Sequence, residues 1–431
     1  MHVATDGNSF HYRLLLRALS SRHFRLFFEG QAVSLVGTWM TRVATSWLVY
    51  RLTSSAFLLG LSYFASQIPV FFLSPFAGVW VDRWNRHRTL VVTQALSMVQ
   101  SLALAALTLA GIVTVWEILG LALLQGAINA FDMPARQALL VQMVDRREDL
   151  GNAIALNSSM VNGARLVGPA IAGMVIAAAG EGYCFLIDGL SYIAVIASLL
   201  AMQQASAPLR GERQMLAADL KEGWQYVQES PPIRSVLLLL SIVSLVGMPY
   251  AALIPIFAQN ILHGNAKTLG WLMAAGGFGA MAGALMLAMR VTVLGLGRVI
   301  AWSTALFGIG LMVFGASRSI WISLAASAAT SFGMMTHMAS CNTILQTIVD
   351  EDKRGRVMSY YSMALQGVGP FGSLLAGAAA THIGAGPTVA AGGALVLVAA
   401  AWFDRRLPYL RTLLRPRYRE LGILPPDPAE F

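Results

Sequence analysis

Seven ionisable residues, Glu29, Arg42, Asp132, Arg136, Arg165, Asp188 and His337, stand inside long apolar runs of this 431-residue chain. Charge is costly away from water, so such groups are candidates for proton or ion chemistry by default. Asp132 is the central one. A carboxylate out of water has its ionised form disfavoured and a nearby guanidinium favours it, so a change of surroundings can load or release a proton. Two arginines are available to it. Arg136 lies four residues on, at a favourable spacing along one helix, although Pro134 between them disturbs that helix. Arg165 belongs to the next run at nearly the same depth, about 12 residues or ~18 Å from the inner side. The cross-helix pair and the local pair both stand as expectations, as does a permanent ion pair that only fixes packing. Asp188 and Glu29 lie near run ends and are expected to reach interfacial water. His337 carries a ring suited to switching, and a hydrogen bond between helices is its plainer role.

The elements that must hold these groups are membrane helices. The chain is 56% hydrophobic and 12% charged, with a mean hydropathy of +0.63, against about 25% charged for soluble proteins. Runs long enough for the ~20 residues a bilayer needs lie near 26–50, 56–81, 89–112, 117–143, 153–179 and 183–202. They resume near 233–261, 269–289, 299–315, 320–348, 357–381 and 386–403. The expected fold is therefore all-α integral membrane, twelve transmembrane helices in two six-helix bundles. The segments are 1–24 (cytoplasmic), 25–202 (first bundle), 203–232 (linker), 233–404 (second bundle) and 405–431 (cytoplasmic tail). Placing the N-terminus inside puts 24 of the 30 Lys and Arg in inner segments, as the positive-inside rule expects. Both termini are then cytoplasmic. In the linker, Leu216, Leu220, Trp224 and Val227 recur at helical spacing. This predicts an amphipathic helix, either on the membrane surface or packed on cytoplasmic loops.

A pI near 9.9 would suggest nucleic acid in a soluble chain; here the basic residues sit between apolar spans, and no nucleic-acid partner is expected. Cys184 and Cys341 lack metal-ligand spacing and read as packing residues. No metal, no cofactor and no enzyme activity are expected. The chain carries no phosphate-binding Gly-x-x-x-x-Gly-Lys-Ser/Thr, and no plausible hydrolytic arrangement.

The loop from Gly78 to Arg88 joins the second and third runs. Its Gly78, Asp82, Arg83, Arg86 and Arg88 resemble the helix 2–3 loop of the major facilitator superfamily, Gly-x-x-x-Asp-Arg-x-Gly-Arg-Arg/Lys, with Asn85 in place of a glycine. In the fifth run Gly163, Gly168, Pro169 and Gly173 resemble the Gly-Pro motif of exporters in that superfamily; Gly367, Gly369 and Pro370 are the counterpart in the eleventh. Val144-Asp145, Gly151 and Val167-Gly168-Pro169 recur as Val349-Asp350, Gly355 and Val368-Gly369-Pro370 about 200 residues later. Such repeats build many transporters, with the substrate site near the bilayer midplane. The segments Phe131 to Ala138 and Asn157 to Gly173 narrow the resemblance to the bacterial branch of enterobactin, macrolide and drug exporters. Gln125-Gly126 fits the fourth-helix motif of the family, but Ala122 stands where an arginine is expected.

The resemblance implies a monomeric secondary transporter of the bacterial inner membrane. It would export small amphipathic compounds, drugs or siderophores, by alternating access, energised by the proton gradient. Asp82 would latch against a helix N-terminus. An importer, a lipid flippase and a non-transporting sensor or scaffold remain alternatives. Trp39, Thr38, Thr41, Gln125, Met248, Tyr250, Met334, His337 and Gln366 are candidates to line the substrate cavity.

Overall fold

The computed structural model describes residues 17–202, 216–290 and 292–424, and within them nothing of the side chains at positions 75, 78, 79, 82, 83, 147 and 216–221. The described residues are helical, without strands, as a lipid environment requires when every backbone polar group must be satisfied within its own segment. The long helices are α1 (Arg22–Thr53), α2 (Ala56–Arg83), α3 (Arg86–Leu109), α4 (Val115–Gln142), α5 (Leu150–Ala179) and α6 (Glu181–Leu200). They continue as α7 (Pro231–Ile261), α8 (Ala266–Ala288), α9 (Leu296–Ala316), α10 (Ile320–Ile348), α11 (Arg354–Ile383) and α12 (Ala385–Glu420). Ten of these are long and apolar enough to cross a membrane. The other two, α1 and α10, are 32 and 29 residues long and carry more polar residues.

Two compact units divide the chain, Met1–Leu52 with Ile68–Gly211 and Thr53–Gln67 with Glu212–Phe431. In the first, α3 packs against α4 and α6, and α5 against α6. In the second, α9 packs against α10 and α12, α8 against α10, and α11 against α12. The neighbour pattern of helices 3, 4, 5 and 6 therefore recurs in helices 9, 10, 11 and 12. Close approach sets these contacts in place of a hydrophobic drive, because lipid is as apolar as the helices. A Cβ on Gly308 of α9 would lie 2.8 Å from the Gly393 carbonyl of α12, so neither helix tolerates a larger residue there. The first turns of α2 belong to the second unit, where Phe64 meets the ring of Phe371 edge-on at 5.6 Å.

Several features depart from the sequence expectations. Helix α12 runs through residue 404 to Glu420, with Pro408 and Pro416 inside it, so the expected tail begins as a continuation of the last span. Helix α7 contains wider π-turns at Val243–Gly247 and Phe257–Ile261, and α11 one at Met363–Gly367. The α11 turn ends just before Gly369-Pro370, where the proline has no N–H to give. Ser244 Oγ donates to the Leu365 carbonyl at 2.7 Å, joining the two interrupted stretches. Asn85, at the glycine position of the loop pattern, has a role of its own: its side chain accepts the Arg88 N–H at 3.0 Å and caps α3.

The linker helix Leu216–Glu229 packs on the α10–α11 connection. Tyr226 donates its hydroxyl to Asp350 at 3.0 Å, Glu222 binds both Lys353 and Arg356, and Val227 is buried. The side chains of Leu216 and Leu220 lie outside the described residues.

Candidate functional site

The polar residues of α3 supply the framework of the first unit. Thr93, Gln94, Ser97, Gln100 and Ser101 are all buried, and their spacing places them on one helical face. Two carboxylates rest on that face, roughly two turns apart.

Asp132 of α4 is 4% exposed. Its Oδ2 accepts from Arg136 at 2.5 Å, and its Oδ1 accepts from Thr93 Oγ1 at 2.8 Å and Gln94 Nε2 at 2.6 Å. Of the two expected partners, Arg136 is therefore the one in contact. Pro134 removes a backbone donor, but α4 continues through it, and residues four apart remain on one face.

Asp188 of α6 differs from its expectation. It is 2% exposed and does not reach an interface. Thr41 Oγ1 of α1 donates to its Oδ2 at 2.9 Å, and Ser101 Oγ of α3 lies 3.0 Å from the same oxygen. The Ser101 hydroxyl is also 3.0 Å from the Phe185 carbonyl. Oδ1 is buried without a hydrogen-bond partner among the described residues. It faces Gly37 of α1, where a Cβ would lie 2.9 Å from it. That glycine lets α1 close over the carboxyl group and shut water out.

Arg165 of α5 stands over the indole of Trp39, its Cζ 5.6 Å from the ring centroid, and Arg42 stands 4.7 Å from the same ring. Gly168 makes room for this group: a Cβ there would lie 2.5 Å from Trp39 Cβ. Pro169 and Gly173 are buried beside it, whereas Gly163 has nothing within 4 Å of where its Cβ would be. At one end of the unit Arg51 holds Glu181 through two bonds of 2.7 and 3.2 Å, which brings the Thr53 end of α1 level with the start of α6.

In the second unit three expected cavity residues belong to the packed interior. Tyr250 is buried, with its hydroxyl 3.1 Å from Ser331 Oγ and its ring edge-on to Phe307 and Phe314. Met334 and His337 are buried too. His337 Nδ1 lies 2.8 Å from Thr304 Oγ1, whose single hydrogen goes to the Ile300 carbonyl at 2.6 Å. The histidine is thus the donor of that pair, with its proton on Nδ1. Met248 is half-buried and Gln366 exposed. Gly367, Gly369 and Pro370 are buried, and a Cβ on Gly369 would lie 3.3 Å from Ser244 Oγ of α7.

Of the remaining expected residues, Glu29 is exposed on α1 and Thr38 donates to the Ser34 carbonyl at 3.1 Å. Gln125 bonds Ser97 and Asn129, both at 3.1 Å. Arg86 is buried and Arg88 exposed. Gly78 and the side chains of Asp82 and Arg83 lie outside the described residues. Sequence reasoning passed over Thr93, Gln94, Ser101 and Gly37. The signal for the first three was present, because hydroxyl and amide residues at 93, 94, 97, 100 and 101 make a polar stripe inside an otherwise apolar span.

The chain matches a family model described as transmembrane secretion effector over residues 15–417. The staphyloferrin A transporter of Staphylococcus aureus is 27% identical over 358 residues, 81% of this chain and 88% of that protein. The multidrug efflux pump Tap of Mycobacterium tuberculosis is 29% identical over 398 residues, 88% of this chain and 92% of that one. A solved POT family transporter in complex with 5-aminolevulinic acid shares the fold, with a TM-score of 0.70 over 90% of this chain and 97% of that one at 11% identity. With the packing of helices 3 to 6 repeated in helices 9 to 12 and a family match over nearly its whole length, the chain belongs to the transmembrane secretion effector family of major facilitator transporters and is a membrane transporter, not an enzyme.

Proposed function

We propose that the protein is a proton-coupled exporter of small amphipathic compounds, and that Asp188 is the group that takes up and releases the proton. The Asp188 geometry carries this reading. If the group is ionised, its Oδ1 accepts no hydrogen bond in this geometry and is buried where such a group is expensive, the Thr38 hydroxyl nearby being given to the Ser34 carbonyl. If a proton sits on Oδ2, every hydrogen has a place. Oδ2–H donates to Ser101, Ser101 donates to the Phe185 carbonyl, and Thr41 donates to Oδ2. Oδ1 is then an ordinary carbonyl oxygen. Tyr192 and Cys184 are the titratable neighbours on its own helix.

Loss of that proton requires α1, α3 or α6 to part enough to admit water or a cation. A conformational cycle that opens the carboxyl group alternately to the two sides would couple proton flow to substrate movement. Asp132, already saturated by Arg136, Thr93 and Gln94, acts in this reading as a structural charge. Relatives named as a multidrug efflux pump and a siderophore transporter support a drug or siderophore as cargo. The protein works as a monomer in the bacterial plasma membrane with both termini cytoplasmic, and needs no cofactor beyond the proton gradient.

The test is uptake of dyes, macrolides and catecholate siderophores into inverted membrane vesicles, with and without an imposed proton gradient. Gradient-driven uptake of at least one compound supports the reading. Uptake of the same size without a gradient overturns it.

A further inference from the structure

We propose that the cleft between α7, α11 and α12 of the second unit is a binding site for one acyl chain of a membrane phospholipid, a role separate from cargo and coupling ion.

The three helices meet at the π-turn Val243–Gly247 of α7 and separate beyond it. Gly372 of α11 lies against the Leu245 carbonyl and the Pro249 ring, and a Cβ on Gly392 of α12 would lie 2.5 Å from the Val246 carbonyl. Farther along, α11 and α12 line the space with Ala376, Ala379 and Ala391, where larger side chains would fill it. The result is a cleft of about 230 Å³, with Tyr250 of α7 in its wall. For scale, an apolar cavity of about 150 Å³ lined by Leu, Ile and Phe stays dry and holds a benzene ring.

The shape of the cleft selects a chain. Its α11 wall runs from Gly372 to Ile383, 11 residues or ~16 Å at 1.5 Å per residue. That is about half of the ~30 Å hydrocarbon core, the depth of one leaflet. Leu375, Ile383 and Leu395 line the cleft and are also 63, 57 and 54% exposed. Apolar surface of this kind on a membrane span faces lipid tails, which are as apolar as leucine. A lipid beside the α11–α12 turn can therefore lay one tail along the whole length, whereas a compact ring system would leave part of it without contacts.

The chemistry of the wall agrees. Its two polar side chains have protein partners: Thr388 donates to the Gly384 carbonyl at 2.8 Å, and the Tyr250 hydroxyl lies 3.1 Å from Ser331 Oγ. The other lining residues are Leu, Val, Ile, Ala, Gly and Pro. A hydrocarbon chain gains dispersion contacts along such a wall. A polar group would give up its hydrogen bonds to water on entering.

The experiment uses the purified full-length chain in phosphatidylcholine nanodiscs, with part of the lipid carrying a diazirine midway along one acyl chain. Irradiation expels nitrogen and leaves a carbene that inserts into neighbouring C–H bonds, and peptide mass spectrometry locates the adducts. Ile309, exposed on α9, reports ordinary contact with bulk lipid. Val246 and Tyr250 of α7, half-buried and buried, are expected to carry adducts as well. Ala379→Phe should cut labelling of those two at least about fivefold and leave Ile309 unchanged, since a side chain and a lipid tail cannot share one close-packed space. Should that variant fail to give monodisperse protein, Ala391→Phe at the exposed rim decides in its place. Adducts at Ile309 with none at Val246 and Tyr250, or equal labelling in parent and variant, would overturn the site. Loss of the α7 adducts on adding rhodamine 6G would assign the cleft to an amphipathic dye and overturn the lipid as its occupant.

Discussion

Arg136 and Asp132 close a 2.5 Å ion pair within one turn of α4, and the other carboxylate oxygen is taken by Thr93 and Gln94 of α3. A carboxylate used this completely joins two helices. Asp132→Asn leaves Arg136 without its anion, a change that costs about 3–5 kcal/mol when a buried pair is broken. The expected result is a clearly lower melting temperature in detergent, with transport per folded molecule preserved. A variant that melts like the parent but no longer transports would make Asp132 a functional group.

Gly168 and Gly163 belong to one motif but meet different surroundings. Gly168→Ala drives its new methyl group into Trp39 Cβ, whereas the same change at Gly163 enters open space. Overpacking of this kind costs roughly 1–3 kcal/mol. Gly168→Ala should therefore displace Trp39, alter its fluorescence and depress transport, and Gly163→Ala should do none of these. Equal effects at both positions would show that the motif works through helix flexibility.

Glu222 of the linker helix is held below the ordinary carboxylate range, first by its hydrogen bond to Lys353 and also by the Arg356 charge. The same hydrogen bond holds Lys353 above its ordinary range. A depressed carboxyl contributes stability above its unfolded pKa of ~4.3 and loses it as pH falls through the lower folded value. A raised ammonium contributes below its unfolded pKa of ~10.4 and loses it as pH rises through the higher one. Docking of residues 222–229 should thus be constant through neutral pH and loosen at either extreme. Amide exchange, corrected for its intrinsic pH dependence, should show this plateau. Glu222→Gln should lower protection throughout, as should high salt, since these charges are partly exposed.

Cys184 and Cys341 are completely buried, the first in α6 and the second beside His337 in α10. Neither should react with a maleimide in the folded protein, and both should react after denaturation in SDS. Labelling of Cys341 in the native state would mean that the interior of the second unit opens to water.

Much of the architecture was legible because a bilayer leaves few options. Apolar runs of about 20 residues must become helices, and their number and grouping can be read directly. Boundaries were less legible where packing decides them. Pro408, Pro416 and the arginines after residue 404 read as the end of α12, yet the helix runs through them. The π-turns at Val243–Gly247 and Met363–Gly367 meet through a contact distant in sequence, Ser244 with Leu365. The ionisable residues could be found by type alone, but their partners could not. Depth along the helices made Arg165 as good a partner for Asp132 as Arg136, because spacing fixes height and not the direction a side chain takes around the helix. Arg165 turns toward Trp39, and Gly168 is the reason there is an indole to meet. Asp188 was placed near an interface by counting residues. The close approach of α1 at Gly37, which a single sequence does not reveal, is what seals it from water.

The most direct test of the account compares Asp188→Asn with Asp132→Asn in inverted vesicles, using a compound the parent transports. Asparagine approximates a protonated Asp188: its amide can donate to Ser101 as the acid hydroxyl does and to Thr41, whose hydroxyl then turns from donor to acceptor, but it has no proton to lose. The account predicts that Asp188→Asn folds normally, binds the compound and exchanges it down its own gradient, yet no longer accumulates it when a proton gradient is imposed. Asp132→Asn, corrected for the amount folded, should still accumulate it. Gradient-driven accumulation that survives Asp188→Asn would contradict the account.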